Sequence, residues 1–123
     1  MLKTLFLYII TISLCFAPAY AQQYHYNYSA NCHAAYQGYM ALHQQEGQGA
    51  ILKEIKADPY NLMAVYIADY GDCLQLLFNG DAKEMQQLRG HQDERLAILD
   101  RGDKQSPWHK LCKAGIYLDW ALL

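Results

Sequence analysis

The chain has 123 residues, 53% of them hydrophobic and 18% charged, with a formal net charge of −2 at pH 7. This length fits one domain with an apolar core, and the mildly acidic balance excludes the basic surface that nucleic acid or anionic lipid requires. We therefore expect no nucleic-acid partner, and membrane contact only through a transient export signal.

Residues 1–21 have the three parts of a cleavable secretory signal peptide. Lys3 supplies a positive charge, residues 5–16 are apolar, and Ala19-Tyr20-Ala21 has the small residues that signal peptidase requires. The apolar segment is shorter than the roughly 20 residues of a membrane-spanning helix. We therefore predict an exported protein, periplasmic or secreted, that begins at Gln22. An uncleaved membrane anchor is the alternative.

Residues 22–29 are polar and rich in tyrosine, and they predict an extended N-terminal arm before a helical domain at 30–123. Asn31 is predicted to cap a first helix that runs to about Glu46. Spacings of three and four residues give this helix an apolar face, formed by Cys32, Tyr36, Tyr39, Met40 and His43.

Two further helices are predicted before residue 79. Gly47-Gln48-Gly49 is expected to break the first helix, and a short second helix covers 50–57 because Asp58-Pro59 disfavours its continuation. Asn61 then opens a third helix to Phe78, which Asn79-Gly80 ends. This third helix has two adjacent apolar stripes and is expected to be central. The stripes are Leu62, Tyr66, Tyr70, Cys73 and Leu77, and Met63, Ile67, Leu74 and Phe78.

Asp81 is predicted to cap a fourth helix, with Glu84 in a capping-box position and Gly90 as a bend. Ser106-Pro107 predicts the start of a fifth helix. Five helices with short connections indicate an all-α fold of antiparallel pairs. Residues 116–123 end this helix without a cap or a polar tail, so either the end packs into the core or the chain is part of a longer helical protein. We favour the second alternative, a domain truncated at its C-terminus.

Cleavage would leave an odd number of cysteines, Cys32, Cys73 and Cys112, without a C-x-x-C motif. Two alternatives remain. The cysteines are three buried thiols within helices, or two of them form a disulfide of unknown pairing, as export would favour. We favour three buried thiols.

The sequence contains none of the common catalytic, nucleotide-binding or zinc-protease motifs, so we expect no enzymatic activity, cofactor or metal. His91, Asp93 and Glu94 do not converge on one point of a helix and are interpreted as a solvated face. A metal site formed by His25, His33 and Cys32 is the weaker alternative, since adjacent helical residues point about 100° apart.

Asp69 and Asp72 share one face of the third helix, where they could bind a cation or raise each other's pKa. We interpret them as the polar side of that helix, and Gly71 between them as a point of close packing. Arg101-Gly102-Asp103 spells a cell-adhesion tripeptide, but Gly102 is already explained as a helix terminator.

Tyrosine suits surfaces that are half apolar and half hydrated. On this ground Tyr36, Tyr39 and Tyr66 are the predicted contact surface for a protein partner of unknown identity. Trp108 and Trp120 are predicted to be structural.

Residues 50–61 finish in Asp-Pro-Tyr-Asn and resemble the end of a tetratricopeptide repeat. Upstream, Tyr36, Gly38, Tyr39 and Leu42 lie where such a repeat carries small and aromatic residues. Residues 96–123 resemble the N-terminal region of larger exported bacterial proteins of tetratricopeptide type. This resemblance implies a helical-repeat architecture, without implying an activity.

The sequence therefore predicts an exported, non-enzymatic, helical-repeat-like module for protein–protein interaction or scaffolding. The alternative is a small, complete secreted protein that binds a ligand and is stabilised by one disulfide.

Overall fold

In the computed structural model of the chain, residues 23–123 are described, and the predicted signal peptide lies outside them. The described residues contain no β-strand, which confirms the all-α class. None of their helices is both long and apolar enough to cross a membrane. They form six helices: α1 (Ala30–Met40), α2 (Gln44–Ala57), α3 (Leu62–Asn79), α4 (Ala82–Leu88), α5 (Gly90–Leu99) and α6 (Pro107–Ala121).

Helices α4 and α5 are two halves of one bent helix. Only Arg89 separates them, and its backbone angles are helical (φ −56°, ψ −32°). The interruption is next to Gly90, the residue predicted to bend this helix. The structure thus has the five helical units expected from the sequence.

The predicted break at Gly47-Gln48-Gly49 is wrong, because all three residues lie inside α2. The chain turns earlier, at residues 41–43, where Leu42 adopts a left-handed backbone conformation (φ 60°). Gly47 serves close packing instead. A Cβ atom on Gly38 would lie 2.8 Å from the Gly47 nitrogen, so α1 and α2 touch backbone to backbone at these two glycines.

Helix α1 begins earlier than predicted, with Ser29 as its N-cap in place of Asn31. The Ser29 hydroxyl accepts a hydrogen bond from the Cys32 N–H (3.1 Å), while the Asn31 amide donates to Glu54 on α2. The first helix also ends at Met40, before the predicted Glu46, and the second begins at Gln44, before the predicted residue 50. Three later boundaries are confirmed. Asp81 caps α4, Gly80 ends α3 with φ 58°, and Pro107 is the first residue of α6.

Asn61 joins the N-terminal arm to the start of α3. Its side-chain oxygen accepts from the N–H groups of Met63 (3.1 Å) and Asn27 (3.0 Å). Its amide nitrogen donates to the Asn27 carbonyl and to Glu54 (both 2.7 Å). A parallel bridge between His25 and Asn61 adds backbone hydrogen bonds. This buried amide is therefore fully satisfied, as its position in the core requires.

Helix α3 is central, as predicted, and contacts every other described helix. Successive contacts show the relative directions of its neighbours. Residues later in α3 contact residues earlier in α5, so these two helices are antiparallel. Residues later in α3 contact residues later in α1 and in α6, so both of these helices are parallel to α3. The pairs are Asp72–His91 and Asp69–Arg95 against α5, Cys32–Asn61 and Tyr36–Tyr70 against α1, and Tyr66–Gly115 and Cys73–Asp119 against α6.

The core lies mainly under the first three turns of α3, where Leu62, Met63 and Ile67 are buried. The predicted stripes fail in the last turn. Leu77 and Phe78 are exposed and Leu76 is buried instead.

Tyr39 fills a space that two glycines leave open. Its ring is 3% exposed and lies against Gly47 of α2 and Gly71 of α3. The predicted role of Gly71 in close packing is confirmed. The same arrangement overturns the prediction that Tyr39 belongs to a contact surface, because the ring is enclosed by three helices.

We expect Gly47→Ala to destabilise the protein by about 1–2 kcal/mol. The new Cβ would lie 2.5 Å from the Tyr39 ring, and overpacking of this kind outweighs the gain of up to about 1 kcal/mol in helix propensity. Gly49→Ala is the matched control in the same helix, because nothing lies near its Cβ position. We expect this control to be neutral or to stabilise in urea unfolding. Equal effects of the two changes would contradict the packing role of Gly47.

Candidate functional site

Two of the three predicted contact tyrosines lie together on one surface. Tyr36 of α1 and Tyr66 of α3 line an open cleft of about 320 Å³. We call this the aromatic cleft, and its lining residues are Tyr28, Tyr36, Met63, Tyr66, Ile67, Trp108, Leu111 and Cys112. No charged side chain belongs to this set, so the cleft suits apolar groups.

The tyrosines of the cleft are held from behind. Tyr36 stacks on Tyr70 with 5.6 Å between the ring centres, and Tyr66 packs against Gly115 of α6. Burial raises the pKa of Tyr66 to about 12, so its hydroxyl is neutral at physiological pH. These side chains therefore form a neutral wall with little freedom to move.

Trp108 was predicted to be structural, and this is wrong. The ring is 51% exposed at the edge of the aromatic cleft, in the first turn of α6. Three leucines of α6 are also more than half exposed. Together they form the α6 apolar stripe, which consists of Trp108, Leu111, Leu118 and Leu122.

The two ends of the α6 apolar stripe differ in their surroundings. Trp108 and Leu111 border the aromatic cleft, whereas Leu118 and Leu122 lie beyond it and are 60% and 64% exposed. Successive residues of a helix are about 100° apart, so its side chains can be grouped in rows around the axis. One row of α6 packs on α3, and this row lies between the stripe and a third row that faces α5. His109 and Lys113 form the α5-facing row through ion pairs with Asp100, and Cys112 lies in the α3-facing row. The stripe is thus on the side of α6 away from α5.

Trp120, by contrast, has the structural role predicted for it. Its indole N–H donates a 3.0 Å hydrogen bond to Asp69 of α3. Arg95 of α5 donates to the same oxygen at 3.0 Å and approaches Asp72 at 2.7 Å. Asp69 was interpreted as part of the polar side of this helix, but it is fully buried and faces Arg95 and Trp120. The guanidinium of Arg95 occupies the place between the two carboxylates.

Asp119 of α6 is the second buried carboxyl group in this region. It is 8% exposed, and its Oδ2 has no hydrogen-bond partner; the same is true of Asp69 Oδ2. Burial and the neighbouring charge of Asp69 raise the pKa of Asp119 to about 6. We call Asp69, Asp72, Arg95, Asp119 and Trp120 the Asp69 cluster.

Sequence reasoning missed Arg95 and Asp119 as members of this cluster. A usable signal was present, because Asp69 and Asp72 are the only charged residues of the otherwise apolar helix α3. Buried carboxylates in such a helix need donors from other elements.

The histidines do not assemble a metal site in the described part of the chain. His91 pairs with Asp72 at 2.8 Å, while Asp93 and Glu94 remain exposed. His25 pairs with Asp58 at 2.7 Å, and His33 contacts the Tyr28 hydroxyl. Among residues 23–123, no three metal-ligating side chains form a group that could hold an ion.

All three cysteines predicted for the mature chain are buried and carry free thiols. Burial raises the pKa of Cys73 to about 11 and that of Cys112 to about 12. A thiol with so high a pKa forms little thiolate and reacts slowly.

Arg101-Gly102-Asp103 is part of the packed structure. The Arg101 guanidinium donates to the Tyr24 hydroxyl (3.0 Å) and lies over its ring. Gly102 packs against Leu62, and Asp103 accepts a hydrogen bond from the backbone of the following turn. The arginine is thus engaged with the N-terminal arm.

Comparisons of the chain with protein-family models, with curated proteins and with solved structures found no match. Assignment of a function therefore depends on the chemistry of the aromatic cleft, the α6 apolar stripe and the Asp69 cluster.

We expect Arg95→Leu to destabilise the fold by about 3–5 kcal/mol, because it leaves Asp69 buried without a charged partner. The measurement is urea unfolding followed by circular dichroism. Lys113→Leu is the matched control, since its ion pair with Asp100 is at the surface and should contribute little. Similar losses in both variants would show that the Asp69–Arg95 pair is not a special requirement.

Proposed function

We propose that the chain is an exported, non-enzymatic, helical-repeat-like module whose α6 apolar stripe binds a helix of a partner protein. The observation that carries this proposal is the stripe itself. Four large apolar side chains, each between 51% and 64% exposed, follow one side of a single helix. Contiguous apolar surface of this kind is typical of interaction sites in soluble proteins.

The order of the helices supports a repeat-like arrangement. Helices α1, α3 and α6 run in the same direction, and each successive pair is joined through an antiparallel helical unit. Helix α2 packs on both α1 and α3, and α5 packs on both α3 and α6. In repeat proteins, an alternation of parallel and antiparallel helices of this kind can continue when further helices pack at either end. The resemblance of residues 50–61 to the end of a tetratricopeptide repeat agrees with it.

This order also indicates the position of the partner. Helix α3 has parallel neighbours on two sides, α1 and α6, whereas the described parallel neighbour of α6 is α3 alone. The stripe lies on a side of α6 that has no parallel neighbour among the described helices. We therefore expect the partner to contribute an amphipathic helix whose apolar face packs beside α6, as α6 packs beside α3.

The absence of charged groups in the α6 apolar stripe restricts the chemistry of this helix. An acidic or basic residue facing the stripe would lose its hydration without gaining a partner. The aromatic cleft adjoins the stripe at Trp108 and Leu111, and it would accept one bulky apolar side chain from the same helix.

The aromatic cleft also favours a second candidate, in which the chain binds a small apolar molecule. Its volume of about 320 Å³ is at the lower end of the range of about 300–1,000 Å³ for ligand pockets. Binding of this kind would need Tyr66 and Trp108 but not Leu118, which is outside the cleft.

Site-specific photo-crosslinking in the protein's own cells tests the helix-binding proposal. A photoreactive phenylalanine derivative at position 118 should crosslink to a helical, apolar segment of one partner. The matched control is the same substitution at Leu52 of α2, because Leu52 is 58% exposed and Leu118 is 60% exposed. Equal crosslinking at the two positions, or no crosslinking at position 118, would refute the proposal.

Export has a separate test. The intact mass of the protein recovered from the space outside the inner membrane should correspond to a chain beginning at Gln22. Replacing Ala19 and Ala21 by bulky leucines should block cleavage and leave residues 1–21 attached. A native protein that retains Met1 would exclude a cleaved signal peptide.

A further inference from the structure

Two carboxyl groups from different helices meet in the Asp69 cluster. Asp69 of α3 is fully buried and Asp119 of α6 is 8% exposed. One oxygen of Asp69 accepts hydrogen bonds from Trp120 and Arg95. The other oxygen has no donor, and neither has Asp119 Oδ2. Two contacts hold the helices together here: Trp120, next to Asp119, donates to Asp69, and the thiol of Cys73, one turn beyond Asp69, donates to the Asp119 carbonyl.

Two buried oxygens without donors are an unfavourable arrangement if both groups are ionised. An ionised carboxylate only accepts hydrogen bonds, so neither group can satisfy the other, and the two negative charges repel. A single proton removes both problems. A protonated Asp119 carries an O–H group that can donate to the free oxygen of Asp69.

The surrounding groups do not supply enough positive charge to remove the need for this proton. Among the described residues, Arg95 is the one permanent cation in contact with the cluster, and it is shared between Asp69 and Asp72. His91 contacts the far carboxylate, Asp72. The other titratable groups that face the pair are neutral at physiological pH; they are Tyr66, Tyr70 and Cys73 of α3.

We propose that Asp69 and Asp119 share one proton in the folded protein, and that loss of this proton weakens the attachment of the last turn of α6 to α3. Leu118 and Leu122 of the α6 apolar stripe flank Asp119, so the proton controls how firmly the distal half of the stripe is held. Its consequence for partner binding rests on the function proposed above, but the sharing of the proton does not.

The direction of the pH dependence follows from the environment. Burial and the charge of Asp69 raise the pKa of Asp119 to about 6 from an ordinary value of 3.8. A carboxyl group with a raised pKa contributes its full stabilisation below the unfolded-state value, and this contribution disappears as the pH rises through the folded-state value. The attachment of α6 is therefore strongest in mildly acidic solution and weakest above pH 6.

Urea unfolding between pH 4 and pH 7 tests the shared proton. We expect the contribution of Asp119 to the folding equilibrium constant of the wild type to fall by about fiftyfold over this range. Asp119→Asn should lack this contribution and should be more stable than the wild type at pH 7, because its amide donates to Asp69 without a charge.

Other groups also titrate in this range, so the difference between wild type and variant is the quantity to compare. Asp93→Asn on the exposed side of α5 is the matched control and should retain the wild-type slope. If Asp119→Asn keeps that slope, or is less stable than the wild type at pH 7, the shared proton is refuted.

Amide hydrogen exchange tests the effect on α6. Protection factors for residues 118–122 should fall between pH 5 and pH 7 in the wild type and stay constant in Asp119→Asn, after correction for intrinsic exchange. A constant protection in the wild type would refute the loosening. Absence of crosslinking at position 118, with the proton linkage intact, would count against the proposed binding function alone.

Discussion

Removing a carboxylate from water costs several kcal/mol unless donors replace its hydration, and Asp69 obtains its donors from two other helices. Arg95 of α5 and Trp120 of α6 reach the same oxygen of this residue. The positions of α5 and α6 around α3 are therefore coupled, because a shift of either helix would leave a buried charge without a partner. The apolar core supplies the attraction between these helices, and the Asp69 cluster supplies their register.

A second constraint acts in the other half of the domain, where the packing is apolar. Glycines of α2 and α3 leave the space that Tyr39 fills, and the backbones of α1 and α2 touch at Gly38 and Gly47. Van der Waals contact at such short range is sensitive to single methyl groups. The domain thus combines a polar junction on one side of α3 with a tightly packed aromatic ring on the other.

Local chemistry was sufficient to predict the helical ends that depend on neighbouring residues. Four residues begin or end a helix at the predicted position, through their own conformation or contacts with adjacent residues. They are Asn61, Gly80, Asp81 and Pro107. The errors concern residues whose role depends on distant elements. Gly47 was interpreted as a helix breaker because its function is visible only against Tyr39. The burial of Asp69 was missed because its partner Arg95 is 26 residues away. The exposure of Trp108 likewise depends on which side of α6 meets α3.

The N-terminal arm has a consequence for the order of folding. Its first attachment is to Asn61, 34 residues beyond Asn27. Its second set of contacts spans far more of the chain, since Tyr24 meets Arg101 across 77 residues and Tyr26 meets His109 across 83. Closing such long loops is entropically costly until the intervening helices have formed. We therefore expect the earliest described segment of the chain to be among the last to be fixed, because its contacts extend to His109 in the first turn of α6.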